Sequence, residues 1–468
     1  MSKKYSRRSF LGLSGCAAMG YTSLFSSLIN LKALNAAAMS NQLTTVGGGY
    51  KALVCFYQLG GNDSFNMLIP KGNTEYNEYA AVRSNLAIAQ EDVLGFDNNL
   101  ADGRSLGVHP AMPEVQDLYN QGKLAFISNI GTLVAPSTPT DFWNNNGAFP
   151  VGLFSHSDQI QQWQTAQLLD RSARGWGGKV ADLIHDMNAN DRISMNISLS
   201  GANVFQTGEF TSEFVVDPTE GSIGIYGYEE PDWDFYTAQT NGINSILDQQ
   251  YEDIFKKTYV DVIKNSVEAN REFGAAIDGV DAFATVFTNN DISKSFEMIA
   301  KIISQRETLG FQRQIFFVGF GGWDHHDELL VNQNGKLAVV SKAMGEFNSV
   351  MEEIGMSDNV TTFTVSEFAR TLTSNGNGTD HAWGGNVMVM GGAVNGSNVF
   401  GNFPSLALNG PQNVGDGALM PTTSVDQYLA ELALWFGVAP SDLGTIFPNL
   451  SNFYSIGSGG MPIGFLNS

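Results

Sequence analysis

Residues 313–328 read "RQIFFVGFGGWDHHDE", an apolar run that stops at two glycines and is followed by an aspartate and two adjacent histidines. An apolar run without polar alternation is typical of a strand that is buried on both faces of a sheet. The segment "KLAVVSKAMGEFNSVMEEIG" then has helical spacing, and "NVTTFTVSEF" has the composition of another strand. Strand, helix and strand in this order predict a βαβ unit of a parallel sheet.

Similar apolar runs occur along most of the chain. "KALVCFYQL" (51–59), "KLAFISNIG" (123–131) and "NVMVMGGAV" (386–394) predict three more buried strands. Helical spacing of apolar residues occurs in 110–122, 241–273, 295–310 and 421–438. Residues 204–233 are rich in Gly, Glu and Asp and predict an irregular excursion, so we expect an insertion around 204–275. The expected fold is α/β, with a doubly wound, mostly parallel sheet flanked by helices.

The N-terminus predicts an export signal over residues 1–38. Arg7 and Arg8 in "SRRSFL" precede a weakly apolar stretch, and Ala36 to Ala38 provide small residues for cleavage. This twin-arginine pattern predicts the twin-arginine export machinery as a partner, a periplasmic or extracellular location, and a single domain over 39–468. Two alternatives are an uncleaved anchor, for which the apolar stretch is short of ~20 residues, and a lipoprotein attached through Cys16.

Composition excludes several classes of protein. The formal net charge of −22 disfavours nucleic acid and anionic membranes as partners. Cys16 and Cys55 are the two cysteines, so a disulfide framework is excluded. After the signal, no segment is apolar enough to predict a stable transmembrane span.

Carboxylates and imidazoles follow the ends of the predicted strands. In open α/β sheets these ends converge on one edge, where ligands and catalytic groups collect. A cluster of carboxylates there would repel itself unless a cation neutralised it, which predicts one or two divalent metal ions. Mixed Asp and His ligation favours Zn²⁺, Mn²⁺ or Fe²⁺ over Ca²⁺, with Mg²⁺ an alternative in part of a two-ion site. The candidate ligands are Asp63, Asp324, His325, His326, Glu367, Asp380 and His381.

Each of these residues also has a structural interpretation. Asp63 after two glycines is typical of a turn or helix cap. Glu367 and Arg370 could form an ion pair near a helix start. Repetition favours the functional interpretation, because Gly-Gly-x-Asp occurs twice after apolar runs and an Asp-His pair occurs twice.

Several motifs together resemble the secreted bacterial DUF1501 family, whose function is uncharacterised. They are "SRRSFLGLSG", "LGGNDSFNMLIP", "LFSHSDQIQQW", "GWGGKVADL", "GGWDHHDE", "SEFARTLTSNGNGTDHAWGG" and "ELALWFGVAPSDLGTIFPNLSNF". That family is related to the alkaline phosphatase superfamily, which implies an alkaline-phosphatase-like sheet and two-metal hydrolysis of phosphate or sulfate esters. The resemblance implies that Asp63 is the first metal-binding Asp, that Asp324 and His326 serve one site, and that Asp380 and His381 complete the sites. His325 would then be an outer residue.

The sequence departs from the superfamily pattern in two respects. The superfamily has a further histidine late in the chain, and here none follows His381, so a second site would need Glu367, His109 or His156. Cys/Ser-x-Pro-x-Arg is absent, which disfavours a formylglycine sulfatase. Ser155 and Ser157 are the candidate nucleophiles, with His156 as base or ligand. The alternative is that they form a polar loop of helix-capping groups.

Two functions are consistent with these residues and motifs. The first is an exported metal-dependent hydrolase of phosphate or sulfate esters, acting on a small-molecule or glycan ester. The second is a non-catalytic secreted protein on a hydrolase-derived scaffold that binds a glycan, an envelope component or a co-exported partner. A metal site requires the carboxylate and imidazole groups to lie within about 5 Å of a common point.

Overall fold

A nine-stranded sheet lies at the centre of the protein, in a computed structural model that describes residues 49–230 and 233–467. The export signal predicted for residues 1–38 lies outside the described residues. The strands, in chain order, are β1 (Lys51–Gln58), β2 (Leu68–Pro70), β3 (Leu94–Gly95), β4 (Leu106–Val108), β5 (Leu124–Gly131), β6 (Asn196–Ser198), β7 (Phe214–Val215), β8 (Arg313–Phe320), β9 (Val360–Val365), β10 (Gly385–Met390), β11 (Val399–Gly401) and β12 (Thr423–Ser424).

The order of strands in the main sheet is β11-β5-β10-β9-β1-β8-β6-β7, with β12 beside β5, and β2, β4 and β3 form a separate small sheet. β1 is central and pairs in parallel with β8 on one side and β9 on the other. β10 runs antiparallel to both of its neighbours, β9 and β5. The connection from β9 to β10, residues 366–384, contains no helix, as is usual between antiparallel neighbours. The predicted mostly parallel sheet is confirmed.

Helices flank the sheet. They are α1 (Asn73–Arg83), α2 (Pro113–Asn120), α3 (Pro139–Trp143), α4 (His156–Thr165), α5 (Trp176–Ile184), α6 (Asp234–Leu247), α7 (Ile254–Asp278), α8 (Asp291–Ser304), α9 (Leu329–Glu353), α10 (Val425–Phe436) and α11 (Leu443–Ile446). α10 packs against β1, and α8 packs against both β8 and α9. Short 3₁₀ turns lie at Ser84–Leu86, His185–Met187, Ser357–Asn359, Pro440–Asp442 and Leu450–Asn452.

Local sequence explains where several helices begin and end. Ser424 starts α10 with a capping box: its backbone N–H donates to the Gln427 side chain, and its hydroxyl accepts from Asp426 N. Gly437 ends α10 at a φ of 119°, a left-handed conformation that favours glycine. These signals are local, which is why the sequence predicted this helix well.

The helical spacing over 241–273 corresponds to two helices, because α6 ends at Leu247 and α7 begins at Ile254. Asp253 caps α7 by accepting a hydrogen bond from Lys256 N at 3.0 Å, so a new helix starts there. The insertion predicted around 204–275 and the single domain over 39–468 stay predictions. Within the described ranges, no helix is both long enough and apolar enough to span a bilayer.

Candidate metal centre

The loops that follow β1 and β8 lie against each other at one edge of the sheet. Leu59 N donates to Phe320 O at 2.9 Å, and Trp323 N donates to Leu59 O at 3.1 Å. Gly60 has a φ of 127°, and a Cβ atom there would lie 2.5 Å from the backbone nitrogen of Asp324. Gly60 is therefore needed for the close approach of the two backbones.

The direction of β10 brings Asp380 and His381 to the same edge. These residues precede an antiparallel strand, so its start lies beside the ends of the parallel strands. Arg370 and His381 form an antiparallel bridge, and Thr371 N donates to Asp380 O at 2.9 Å. The two ends of the β9–β10 connection are thus joined by backbone hydrogen bonds.

Helix α4 brings His156 to the edge from an earlier part of the chain. His156 is the first residue of the helix, and Ser155 caps it by accepting from Asp158 N. Trp163 Nε1 donates to Glu367 O at 3.0 Å, which fixes the helix against the loop after β9. Gln159 also donates to Thr132 Oγ1 at 3.1 Å.

Asp324 is the centre of the resulting cluster. Its Oδ1 lies 3.0 Å from His326 Nε2 and 3.2 Å from His381 Nε2. Its Oδ2 lies 3.3 Å from His156 Nε2. The donor atoms of His156, Asp324 and His381 all lie within 4.8 Å of one another. Three imidazoles therefore turn the same nitrogen, Nε2, towards one carboxylate.

The other nitrogen of each of these rings is held by a separate acceptor. His156 Nδ1 is 2.9 Å from Glu367 Oε1, and His326 Nδ1 is 3.1 Å from Asp380 Oδ1. His381 Nδ1 donates to the carbonyl oxygen of Phe154 at 2.8 Å. Carboxylates and carbonyls accept hydrogen bonds, so each Nδ1 carries a proton, and in a neutral ring Nε2 then offers its lone pair.

This arrangement is typical of metal-binding histidines, whose second nitrogen usually donates to a carboxylate or a backbone carbonyl. Lone pairs on three Nε2 atoms facing a carboxylate repel it unless a proton or a cation lies between them. In tetrahedral zinc sites with bonds of 2.0–2.2 Å, neighbouring ligand atoms are about 3.3–3.6 Å apart. The Nε2–oxygen distances of 3.0–3.3 Å lie at the lower end of that spacing or slightly below it. The donor set fits a divalent ion such as Zn²⁺ or Mn²⁺.

Arg370 lies under the cluster and joins three of its loops. Its buried guanidinium donates to Asp324 Oδ1 at 2.5 Å, to Gly60 O at 3.4 Å and to Thr379 O. The sequence offered Glu367 as the ion-pair partner of Arg370, but in the structure that partner is Asp324. Partial burial by itself would raise the pKa of Asp324, but the hydrogen bond and charge of Arg370 hold that pKa below its usual range.

Two histidines of the cluster have displaced pKa values. The hydrogen bond that His156 donates to Glu367 raises the pKa of His156, against the opposing effect of burial. Burial lowers the pKa of His381. The cluster and its surroundings contain three carboxylates, those of Asp324, Glu367 and Asp380, and one arginine. With neutral histidines the net charge is negative, and a divalent cation would offset it.

The predicted ligands occupy three kinds of position. Asp324, His326 and His381 are in direct contact with one another. Glu367 and Asp380 contact the rings of His156 and His326 from outside. Asp63 lies apart, in a buried ion pair with Arg83. Burial raises the pKa of Asp63, while Arg83 opposes that effect. That these residues bind metal stays a prediction.

The predicted catalytic residues lie at the start of α4. The Ser155 hydroxyl caps the helix and lies 3.1 Å from the exposed Ser157 hydroxyl. His156 has one ring nitrogen on Glu367 and the other facing Asp324, which favours a ligand over a general base. His325 is buried beside Trp323, and its role as an outer residue stays a prediction. His109 accepts from Ala111 N at 3.1 Å and orients that turn.

Sequence reasoning missed the partners of the two aspartates. Arg83 is the last residue of α1, and Arg370 was considered only as a partner of Glu367. The spacing of Arg83 carried no signal of its own, because it meets Asp63 only through packing of α1. For Arg370 the signal was its position five residues after β9, on the edge where the other polar residues gather.

Residues 258–424 match the family model described as "Protein of unknown function (DUF1501)". The resemblance to DUF1501 is thus confirmed over this segment, which contains Asp324, His326, Glu367, Asp380 and His381. No curated protein matches the sequence.

Solved structures show a weak likeness at low sequence identity. The crystal structure of Ps i-CgsB in complex with k-i-k-neocarrahexaose has 11% identity and a TM-score of 0.33, covering 83% of this chain and 72% of that one. The PsFucS1 sulfatase from Pseudoalteromonas sp. has 12% identity and a TM-score of 0.34, covering 88% and 72%. The lipoteichoic acid synthase LtaP from Listeria monocytogenes has 9% identity and a TM-score of 0.26, covering 69% and 57%.

Proposed function

We propose that this protein is an exported, metal-dependent hydrolase of phosphate or sulfate esters. His156, Asp324, His326 and His381 would hold a divalent ion. The observation that carries the proposal is the convergence of three Nε2 atoms on Asp324 while each Nδ1 is held by an acceptor. A cluster prepared in this way is suited to bind a cation.

The position of the cluster favours a substrate that comes from solvent. The side chains of Asp324 and His326 are 42% and 44% exposed, although Arg370 and Glu367 beneath them are fully buried. An active site needs buried, fixed residues to hold its geometry and exposed residues to admit a substrate, and this cluster has both. A bound divalent ion would polarise an ester oxygen and offset the charge that develops during hydrolysis.

The residues of the chain have separate tasks in this proposal. Glu367 and Asp380 orient His156 and His326, and Arg370 holds Asp324 in place. Ser157 is exposed at the second position of α4, next to His156, and is the proposed nucleophile. Its partner Ser155 is committed to capping the helix. The ester would lie between the start of α4 and the cluster.

Elemental analysis of the purified protein tests the metal, and hydrolysis of an aryl phosphate and an aryl sulfate tests the reaction. We expect bound Zn²⁺ or Mn²⁺, loss of the ion and of turnover on chelation, and recovery on adding the ion back. His381→Ala should lose both, while His185→Ala is the matched control because His185 is exposed and pairs with Asp186. A protein without bound metal, or a His381→Ala variant that binds metal normally, would contradict the proposal.

The same experiment distinguishes the hydrolase from the second candidate function, a non-catalytic binding protein. The observation that favours it is that Ser155, one of two candidate nucleophiles, is used as a helix cap. Under this alternative the protein binds metal through the same residues but hydrolyses neither ester. Ser157→Ala would then leave every measured property unchanged, whereas it should abolish turnover in the hydrolase.

A further inference from the structure

Asp63 and Arg83 form an ion pair that is closed off from solvent. Both side chains are fully buried, and a guanidinium nitrogen of Arg83 binds Asp63 Oδ2. The other terminal nitrogen of Arg83 donates to Thr371 O at 3.0 Å and to Leu372 O at 3.3 Å. Arg83 is thus fixed by the backbone of the β9–β10 connection, which also carries Arg370 and His381.

The resemblance to the alkaline phosphatase superfamily implies two ions, with Asp63 as a ligand of one. The side chains around Asp63 do not fit that role. Within the described residues, the His, Cys, Asp or Glu donor atoms that come together in groups of three belong to one cluster, which contains His156, Asp324 and His381 together with His326. Asp63 belongs to no such group. Its Oδ1 has no hydrogen-bond partner, so a single oxygen atom would be left for an ion.

Charge gives a second reason why an ion does not fit beside Asp63. The guanidinium is always protonated in proteins. A divalent ion on Asp63 Oδ1 would lie beside this fixed positive charge, in a buried region that screens it poorly. One carboxylate would then face three positive charges. The pair as it stands is neutral, so Asp63 needs no further cation to balance its charge.

Asp324 differs in this respect, although it also binds an arginine. Arg370 donates to Oδ1 of Asp324, while Oδ2 faces His156 Nε2 at 3.3 Å. Three imidazoles surround Asp324, and they can share an ion with it. The negative charge of Asp63 is therefore balanced by Arg83, a residue of the chain. For Asp324 and its imidazoles, a bound metal ion would be needed in addition to Arg370.

From this contrast we infer that the protein holds one metal ion and not two, and that the guanidinium of Arg83 takes the place of the second ion on Asp63. The inference rests on the proposed metal site. It defines the hydrolase as mononuclear: catalysis would rely on one ion together with groups of the chain.

Counting ions in variants of the two loops tests the inference. Metal-free protein is titrated with Zn²⁺ and, separately, Mn²⁺ in a calorimeter, and the reconstituted protein is analysed for its metal content. We expect one ion per chain in the natural protein. The double variant Asp63→Leu/Arg83→Met, which removes both charges together, should still bind one ion with unchanged affinity, whereas His381→Ala should bind none.

Two ions per chain in the natural protein, falling to one in the double variant, would overturn this inference and leave the proposed function standing. No ion in the natural protein would overturn both. If the double variant does not fold, Asp63→Asn replaces it, because that change keeps the size of the side chain. A loss of one ion from Asp63→Asn would likewise overturn the inference.

Discussion

Two loops of this protein have the same pattern, Gly-Gly-x-Asp, and follow neighbouring parallel strands. The loop of Asp63 follows β1, and the loop of Asp324 follows β8. The side chain of Asp63 is fully buried and paired with Arg83, while that of Asp324 is 42% exposed and meets three imidazoles. The same local pattern therefore gives a structural ion pair in one loop and a candidate ligand in the other.

The comparison shows that a strand end determines where an aspartate lies and that distant segments determine what it does. Asp63 meets the end of α1, and Asp324 meets α4, the loop after β9 and the start of β10. Substitutions in the two loops and in the residues that surround the two aspartates test this difference.

The largest effect is expected from Arg83→Met. This change leaves the carboxylate of Asp63 buried without its partner, and the loss of one member of a buried ion pair costs about 3–5 kcal/mol of unfolding free energy. Urea unfolding of the metal-free protein measures it. Arg104→Met is the control, because its partner Asp102 is exposed. A loss below about 1 kcal/mol would show that the pair is not the neutral unit described here.

Asp324→Asn should weaken Zn²⁺ binding about 100-fold, which corresponds to about 2.7 kcal/mol. Asparagine keeps the shape of the side chain but loses the negative charge that faces the three Nε2 atoms. The same substitution in the other loop, Asp63→Asn, is the matched control and should leave the affinity unchanged. Equal losses in the two variants would mean that both loops bind metal.

Glu367→Gln should weaken Zn²⁺ binding about 10-fold, since outer partners of metal-binding histidines typically contribute 10- to 100-fold. The amide oxygen can still accept from His156 Nδ1, but it carries no charge. Asp380→Asn should have a smaller effect, because Asp380 is 61% exposed and water can replace it. Calorimetry on both variants checks the order, and a larger loss from Asp380→Asn would contradict it.

The smallest effect concerns His325, the buried member of the histidine pair in the second loop. Burial lowers its pKa from the usual value to about 4, so the unfolded chain takes up a proton at a higher pH than the folded protein does. This contribution to stability is present above about pH 6.5 and is lost as the pH falls towards 4. We expect about 1 kcal/mol between pH 7 and pH 5.5.

Urea unfolding of the metal-free protein at the two pH values measures this contribution. In His325→Gln the pH-dependent loss should be smaller by that amount, and in the exposed control His185→Gln it should be unchanged. An identical pH dependence in the natural protein and in His325→Gln would show that His325 does not titrate as its burial implies.

The sequence predicted the sheet, and the edge at which its polar residues gather, well because these depend on local properties. The apolar runs of β1, β5, β8, β9 and β10 and the glycines that end them are read from a few neighbouring residues. The interval from α6 to α7 was predicted less well, because the break at 248–253 depends on one capping aspartate within an otherwise helical pattern.

The site itself was predicted in part. Asp324, His326 and His381 were selected from their positions after or before strands, and they are in contact. His156 was proposed as base or ligand, and its place in the cluster depends on how α4 packs against the loop after β9. That packing is not encoded in the residues adjacent to His156.

The sequence by itself determined that carboxylates and imidazoles gather at one edge of a mostly parallel sheet, because strand ends and glycine turns are local features. Only the tertiary structure decided which charge meets which. Arg83 closes the loop of Asp63, and His156 and Arg370 complete the surroundings of Asp324. Buried charges must be neutralised by their spatial neighbours, and in this protein those neighbours are 20 residues away for Asp63 and 46 for Arg370 and Asp324.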